Sequence, residues 1–276
     1  MIITRFAPSP TGLLHLGHAY SALLVYNSIT DGGEFLLRIE DIDSGRCRVE
    51  YEKAIEEDLG WLGIKWQTPI RRQSEHMADY ATYINRLDSE GLLYPCFCTR
   101  KEMAQARERL NFDTMGPDGP IYPGSCRELN PDKRQQYINA KKPFALRLDM
   151  QKAVARVGEL HWQDFNKGLI VATPQMFGDV VLARKETPTS YHLAVTVDDH
   201  IQGVNQVIRG LDLFHATHIH CLLQALLGLE TPQYHHHRLL LDDRGQKFAK
   251  RERSPSLQEL RLAGVTPQEV KKRVGL

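Results

Sequence analysis

The sequence predicts an α/β fold: a parallel sheet joined by crossover helices, interrupted by an inserted segment and finished by a short helical tail. Over the first third, apolar runs of strand length alternate with apolar residues at helical spacing. A phrase rich in Pro and Gly stands at the first strand–helix junction. Between Tyr94 and Arg127 the periodicity fails and turn residues take over, as expected of an insertion packed around something other than an apolar core.

The elements follow in order. Ile2 to Phe6 is a short apolar run ended by Pro8 and Pro10, hence a buried strand entering a loop. From His15, the residues Leu16, Ala19, Leu23 and Tyr26 recur at helical spacing to about Ile29, and Asp31-Gly32-Gly33 stops the helix. Phe35 to Ile39 is a second strand running into the polar turn Glu40-Asp41-Ile42-Asp43. Ala54, Ile55, Leu59 and Leu62 mark another helix, and Tyr80, Ile84 and Leu87 a third. Strands separated by helices imply parallel pairing through right-handed crossovers. Met115 to Ser125 is turn chemistry; strand character resumes at Ala145–Leu148 and Asp179–Ala183. Val204 to Ile208 reads as a strand ending at Arg209-Gly210, and Leu213 to Leu227 as a helix. A strand-like Arg238 to Leu241 leads to a basic loop, Asp242 to Arg253, and a helical tail.

A length of 276 residues suits one or two domains, and 42% hydrophobic with 25% charged residues is ordinary for a globular chain. Disordered, collagen-like and disulfide-dense classes are excluded. The formal charge of +1 announces no bulk affinity for nucleic acid, so any RNA contact must rest on a local patch. Five cysteines, an odd and uneven set, make no disulfide framework, and Cys96-x-Cys98 points to a metal in a reducing compartment. The N-terminus lacks the apolar region of a signal peptide, and no run approaches the ~20 apolar residues of a membrane span. A cytoplasmic protein without a membrane partner is expected.

Chemistry concentrates in Pro8-Ser-Pro-Thr-Gly-Leu-Leu-His15-Leu-Gly17-His18. A helix N-terminus offers unpaired N–H groups and a positive dipole end to an anion. Gly17 clears space for a flat base, and His15 and His18 can donate to phosphate oxygens. Alternatively, the phrase is a Pro/Gly loop that only caps a helix. Far downstream, Lys247-Phe248-Ala249-Lys250-Arg251 carries two lysines three apart that could neutralise charge on a reacting phosphate. Taken alone, such a run is a solvated surface loop.

Together these segments resemble class I aminoacyl-tRNA synthetases. The strings Arg5-Phe-Ala-Pro-Ser-Pro-Thr-Gly12, Leu37-Arg-Ile-Glu-Asp-Ile-Asp43, Val197-Asp-Asp-His-Ile-Gln-Gly-Val204 and Val207-Ile-Arg-Gly-Leu-Asp212 narrow the resemblance to the glutamyl/glutaminyl branch. Only about two dozen residues follow the Lys loop, too few to bury a core of their own. That shape is similar to the compact glutamyl-queuosine tRNA(Asp) synthetase family.

The resemblance implies a Rossmann-type nucleotide-binding sheet formed by residues 1–93 and 186–230, an inserted α/β zinc subdomain at 94–185, and a Lys loop with helical remnant at 231–276. It implies a glutamate site of Arg5, Phe6, Ala7, Pro8, Ser9, Glu40, Tyr191 and Arg209, with the two guanidinium groups for carboxylates, Glu40 for the α-amino group and Tyr191 as a hydroxyl donor. A structural ion pair between Arg5 and Glu40 is the plainer alternative. ATP falls to His15, Gly17, His18 and Lys250, with His15, His18, Lys247, Lys250 and Mg²⁺ neutralising charge during catalysis. Structural Zn²⁺ falls to Cys96, Cys98, Cys126 and Tyr122, with Glu102 or a water as substitutes for the phenol, and metal-free reduced cysteines as the alternative.

The implied partners are L-glutamate, ATP and queuosine-containing tRNA(Asp), acted on by a monomer. A glutamyl-tRNA synthetase fragment charging the tRNA 3′ end, or a non-catalytic glutamate or nucleotide binder, are the competing readings. His235-His236-His237 on a strand alternate faces and do not chelate together. His215, His218 and His220 are expected to serve solvation or packing, Cys47 and Cys221 to be unliganded, and Trp61, Trp66 and Trp162 to pack.

Overall fold

The structure is a computed structural model, and it describes residues 1–30, 32–240 and 255–276. Strand β1 (Ile3–Phe6) leads through a Pro-rich loop into α1 (Leu16–Asn27), then β2 (Glu34–Ile39), α2 (Val49–Trp61), β3 (Gln67–Arg72) and α3 (Met77–Ser89). A second stretch holds β4 (Leu93–Cys96), α4 (Arg100–Arg109), the two-residue strands β5 (Met115–Gly116) and β6 (Gly119–Pro120), α5 (Pro131–Asn139), β7 (Ala145–Leu148) and α6 (Met150–Val157). Then come β8 (His161–Asp164), β9 (Gly168–Val171), β10 (Val181–Ala183), α7 (Tyr191–Ile201), β11 (Gln206–Gly210), α8 (Ala216–Leu227), β12 (Gln233–His237), α9 (Leu257–Leu262) and α10 (Pro267–Val274).

The main sheet runs β3-β2-β1-β11-β12-β8-β9, parallel throughout except for the β8–β9 hairpin at its edge. This is the expected α/β architecture, with β1 and β11 adjacent at its middle. Register aligns Arg5 with Leu36 and Arg209 with His236, so the carboxyl ends of β1, β2, β11 and β12 open on one edge. In open parallel sheets that edge is where ligands bind.

The two largest apolar cores lie in different parts of the fold. One joins Ala19, Leu23, Leu37, Ile55 and Leu59 to Leu257, Leu260, Val270 and Val274, so the helical tail packs with α1, α2 and β2 and needs no core of its own. The backbone N–H of Leu257 donates to the carbonyl of Leu14 at 2.8 Å, fixing the tail to the loop before α1. The other core places α3, α6, α7 and α8 against the three-stranded sheet β10-β7-β4.

Four features depart from the sequence reading. The hairpin β8–β9, within the segment expected as an insert, extends the main sheet, and Trp162 on it is buried against Tyr234 and Val207. The helix α4 lies where periodicity fails: it is polar nearly all round, buries only Ala106, and rests on a reciprocal cap between Thr99 and Glu102. The strand expected over Arg238 to Leu241 is β12, a few residues earlier; Gln-Tyr-His-His-His gives it no apolar alternation. Strands β3 and β4 also lack an alternating apolar signal.

Candidate active site and metal centre

A cavity of about 530 Å³ opens at the carboxyl edge of the sheet. Its walls include Arg5, Phe6, Ala7, Pro8 and Ser9 from β1 and its loop, Glu40 after β2, Tyr191 at the start of α7, and Arg209 on β11. His15, Gly17 and His18 face the same cavity. The expected amino-acid and nucleotide residues among the described positions therefore share one chamber. Lys247 and Lys250 lie outside the described residues.

The first turn of α1 is prepared for an anion. His15 is the N-cap: its Nδ1 accepts the Gly17 N–H at 3.1 Å, while Nδ1 of His18 accepts the His15 N–H at 3.1 Å. Since both Nδ1 atoms accept, each neutral imidazole carries its proton on Nε2. The rings stack with centroids 3.7 Å apart. No acidic side chain occupies that turn, so the dipole end is not opposed locally.

The guanidinium groups are held differently. Arg5 does not pair with Glu40: its Nε donates to Asp199 at 2.9 Å, and the same carboxylate accepts from Nη2 of Arg38 at 2.7 Å. Arg38, fully buried, lies 3.7 Å from Glu40. Burial would raise the Asp199 carboxyl, but Arg5 and Arg38 hold it below its ordinary range. Glu40 is less well paid in charge: burial pushes its carboxyl up to about 7 despite Arg38 and Arg5. Neighbouring Asp198 accepts from Arg71 at 2.7 Å, Gln73 at 2.8 Å and Tyr80 at 2.9 Å, anchoring α7 to β3 and α3. In the sequence Asp198, Asp199 and Arg38 stand only within motif strings, with no role of their own; for Arg38 a charged residue inside an otherwise apolar strand was the available signal.

Arg209 has another environment. Its Nε donates to Nε2 of His236 at 3.2 Å, Nη2 to Thr217 at 2.6 Å, and both Nη atoms meet Nδ1 of His220 at 3.3 Å. Its Nη1 lies 3.5 Å from the Tyr191 hydroxyl. His236 is buried beside Asp164 at 2.7 Å, so the three consecutive histidines do not converge on a metal. His218 accepts the Thr173 N–H at 3.1 Å, a packing role as expected.

By the three-stranded sheet, whose edge strand β4 ends at Cys96, the Sγ atoms of Cys96, Cys98 and Cys126 all lie within 4.8 Å of one another. Tetrahedral thiolates at the ~2.3 Å Zn–S distance would stand roughly 3.8 Å apart, so the spacing fits such an ion. Hydrogen bonds from the Cys126 and Cys98 thiols push Cys96 down towards thiolate, the ligating form. The Tyr122 hydroxyl lies 3.6 Å from Cys98 Sγ and accepts the Cys126 N–H at 2.8 Å, placing a fourth donor at the cluster. Glu102 does not substitute for it, because its carboxylate caps α4 on Thr99 N–H at 2.7 Å. The guanidinium of Arg147 stacks 3.9 Å over the Tyr122 ring. These residues fit a structural metal, which would cross-link β4 to the segment before α5.

Residues 1–274 match the family model described as tRNA synthetases class I (E and Q), catalytic domain. The chain belongs to this family. It is a ligase of the aminoacyl-tRNA synthetase type. It is 45% identical over 281 residues to a glutamyl-Q tRNA(Asp) synthetase of Rhodobacter capsulatus, covering all of both chains. It is 38% identical to a glutamate–tRNA ligase of Aquifex aeolicus, with 96% of this chain aligned to 54% of that one. A glutamate–tRNA synthetase crystal structure from Elizabethkingia anophelis superposes with a TM-score of 0.77 at 29% identity, covering 91% of this chain and 52% of that one. The chain thus spans about half the length of these longer synthetases and the whole of the compact one. Among the described residues, no helix is long and apolar enough to cross a membrane.

Proposed function

We propose that this synthetase activates L-glutamate with ATP and passes the glutamyl group to the cyclopentenediol of queuosine at the wobble position of tRNA(Asp). One observation carries the first half: guanidinium, carboxyl, hydroxyl and imidazole-capped helix N-terminus line a single cavity. Glutamate is a dianion with one ammonium. Arg209 meets one of its carboxylates, Glu40 the ammonium, and the Tyr191 hydroxyl adds a donor. Magnesium-bound ATP enters beside Gly17, with its phosphates against the Nε2 protons of His15 and His18 and the N-terminus of α1.

The glutamate α-carboxylate oxygen attacks the α-phosphorus, a C–O–P anhydride forms, and the Pα–O–Pβ bond breaks to release pyrophosphate. The attacking carboxylate is already ionised, so no protein nucleophile is required. Catalysis is positioning and charge neutralisation, with Lys247 and Lys250 as further cationic candidates on the loop. A diol hydroxyl then attacks the activated carbonyl; an ester forms and AMP leaves. Because the acceptor is a cis-diol on a five-membered ring, it matches the chemistry of a terminal ribose.

The acceptor reading draws support from a second cavity of about 770 Å³ that shares Tyr191, Asp212 and Leu213 with the first. Arg100, Arg107, Arg147 and Arg184 line it together with Asp118, Asp179 and Asp212, so four guanidinium donors are available to phosphates in a lining of mixed charge. The 45% identity to a glutamyl-Q tRNA(Asp) synthetase, above the 38% to a glutamate–tRNA ligase, supports the wobble nucleoside over the 3′ terminus. We place the protein in the cytoplasm, as a monomer, with a structural zinc at Cys96, Cys98, Cys126 and Tyr122.

Two measurements test this. ATP–pyrophosphate exchange should be stimulated by glutamate and not by glutamine. Labelled glutamate transferred to queuosine-containing tRNA(Asp) should map to the anticodon loop after nuclease digestion; label on the terminal adenosine would replace this reading with that of a 3′-charging synthetase.

A further inference from the structure

Among the described residues, Arg209 is the buried cation of the amino-acid cavity whose charge is not matched from within. Arg5 and Arg38 both meet Asp199. Among the described residues, Arg209 has no carboxylate in ion-pair range; its partners are Thr217, His236, His220 and Tyr191, all neutral acceptors. The residue is only 5% exposed, so this cation is kept out of water without a counter-ion.

The hydrogen-bond directions follow from the guanidinium, which only donates. His236 accepts on Nε2 and therefore carries its proton on Nδ1, which meets Asp164 at 2.7 Å. His220 accepts on Nδ1 and carries its proton on Nε2, which meets Nδ1 of His192 at 3.3 Å. His192 in turn points Nε2 at Asp118, 3.5 Å away on the β5–β6 turn. Each imidazole beside Arg209 is thus fixed in its tautomer by a group behind it. Burial and Arg209 hold His220 well below its ordinary range and His236 down to about 4, so both stay neutral.

We propose that His220 and His236 are positioning residues that hold Arg209 as an unmatched buried cation and thereby select a substrate carboxylate over a carboxamide. This rests on the glutamate-activation reading above and deepens it. A carboxylate beside Arg209 would neutralise it before substrate arrives. The two imidazoles orient the fork and leave its charge whole, so a glutamate carboxylate supplies the missing counter-ion and a glutamine amide does not.

The experiment is ATP–pyrophosphate exchange with the full chain, titrating glutamate, glutamine and ATP separately. If the wild type shows no glutamate-dependent exchange, the activity reading falls and this inference with it. With exchange present, His220→Phe, which keeps an aromatic ring but offers no acceptor, should raise the glutamate KM about ten-fold or more while the ATP KM stays within about two-fold. His220→Gln, able to present an amide oxygen to the fork, should recover most of that loss. His220→Asp should shrink the preference for glutamate over glutamine. Where the His220 variants do not fold, Thr217→Val carries the same expectation of a selective rise in glutamate KM. An unchanged glutamate KM in folded His220→Phe, a parallel rise of both KM values, or a His220→Gln variant as impaired as His220→Phe would each overturn the proposal.

Discussion

Glu40 sits where two demands conflict. Burial raises its carboxyl to about 7, while the ammonium it is proposed to meet needs it ionised. Its folded value lies above its unfolded one, so the protein binds this proton more tightly when folded, and stability is lost as pH rises from about 4.5 to about 7. Glutamate affinity runs the opposite way: kcat/KM for glutamate should fall as pH drops below about 7. Replacing Glu40 by Gln should remove glutamate-dependent exchange and, at pH 8, raise the melting temperature by roughly 2–8 °C. The gain should shrink to a small remainder at pH 4.5 and vanish below it, as the wild-type group becomes protonated in the unfolded state as well as the folded one. A calorimetric scan at the two pH values checks this. The side chain was legible in the sequence as a polar residue ending an apolar strand. Its conflict with burial was not, because that depends on Arg38 and Asp199, which converge from β2 and α7.

Single elements show how local chemistry serves both folding and binding. In α1 the N-cap and the third helical residue are the same two imidazoles that face the cavity. His18→Ala removes the acceptor for the His15 N–H, an effect of about 1 kcal/mol on stability. It should cost ATP–pyrophosphate exchange about a hundred-fold, because a phosphate donor is lost as well; an equal, small effect on both would reduce His18 to a cap. The segment from β4 to α5 offers the complementary case. Its helix α4 has no apolar stripe, so its existence was invisible to periodicity, and the cysteine spacing was the only organising signal available. Metal analysis of the purified chain should find close to one zinc, and Cys126→Ser should lower both that content and the melting temperature. Metal content unchanged by the substitution would remove Cys126 from the ligand set. The pairing of Tyr122 with this cluster could not be read from sequence spacing alone, since twenty-three residues and the β5–β6 turn separate it from Cys98.

At the scale of the molecule, the parallel sheet and its crossovers were readable because their apolar periods are strong, whereas the ion network behind the cavity was not. Asp199 joins Arg5 on β1 to Arg38 on β2, so α7 is pinned to the sheet centre by charge, while its Leu193 and Val197 face the other core with α3 and α8. Asp199→Ala would take from Arg5 its carboxylate and leave buried Arg38 only the longer contacts to Glu40 at 3.7 Å and Asp198 at 3.9 Å, and chemical denaturation should show a loss of about 3–5 kcal/mol. A loss under about 1 kcal/mol would mean that the pair is not structurally required. The bond from Leu257 to Leu14 has a different consequence. It ties a turn near residue 257 to the loop that opens α1, so during synthesis that loop gains its support only once α9 has left the ribosome. A half-made chain should therefore hold the cavity's first wall unfinished until a segment far downstream arrives to brace it.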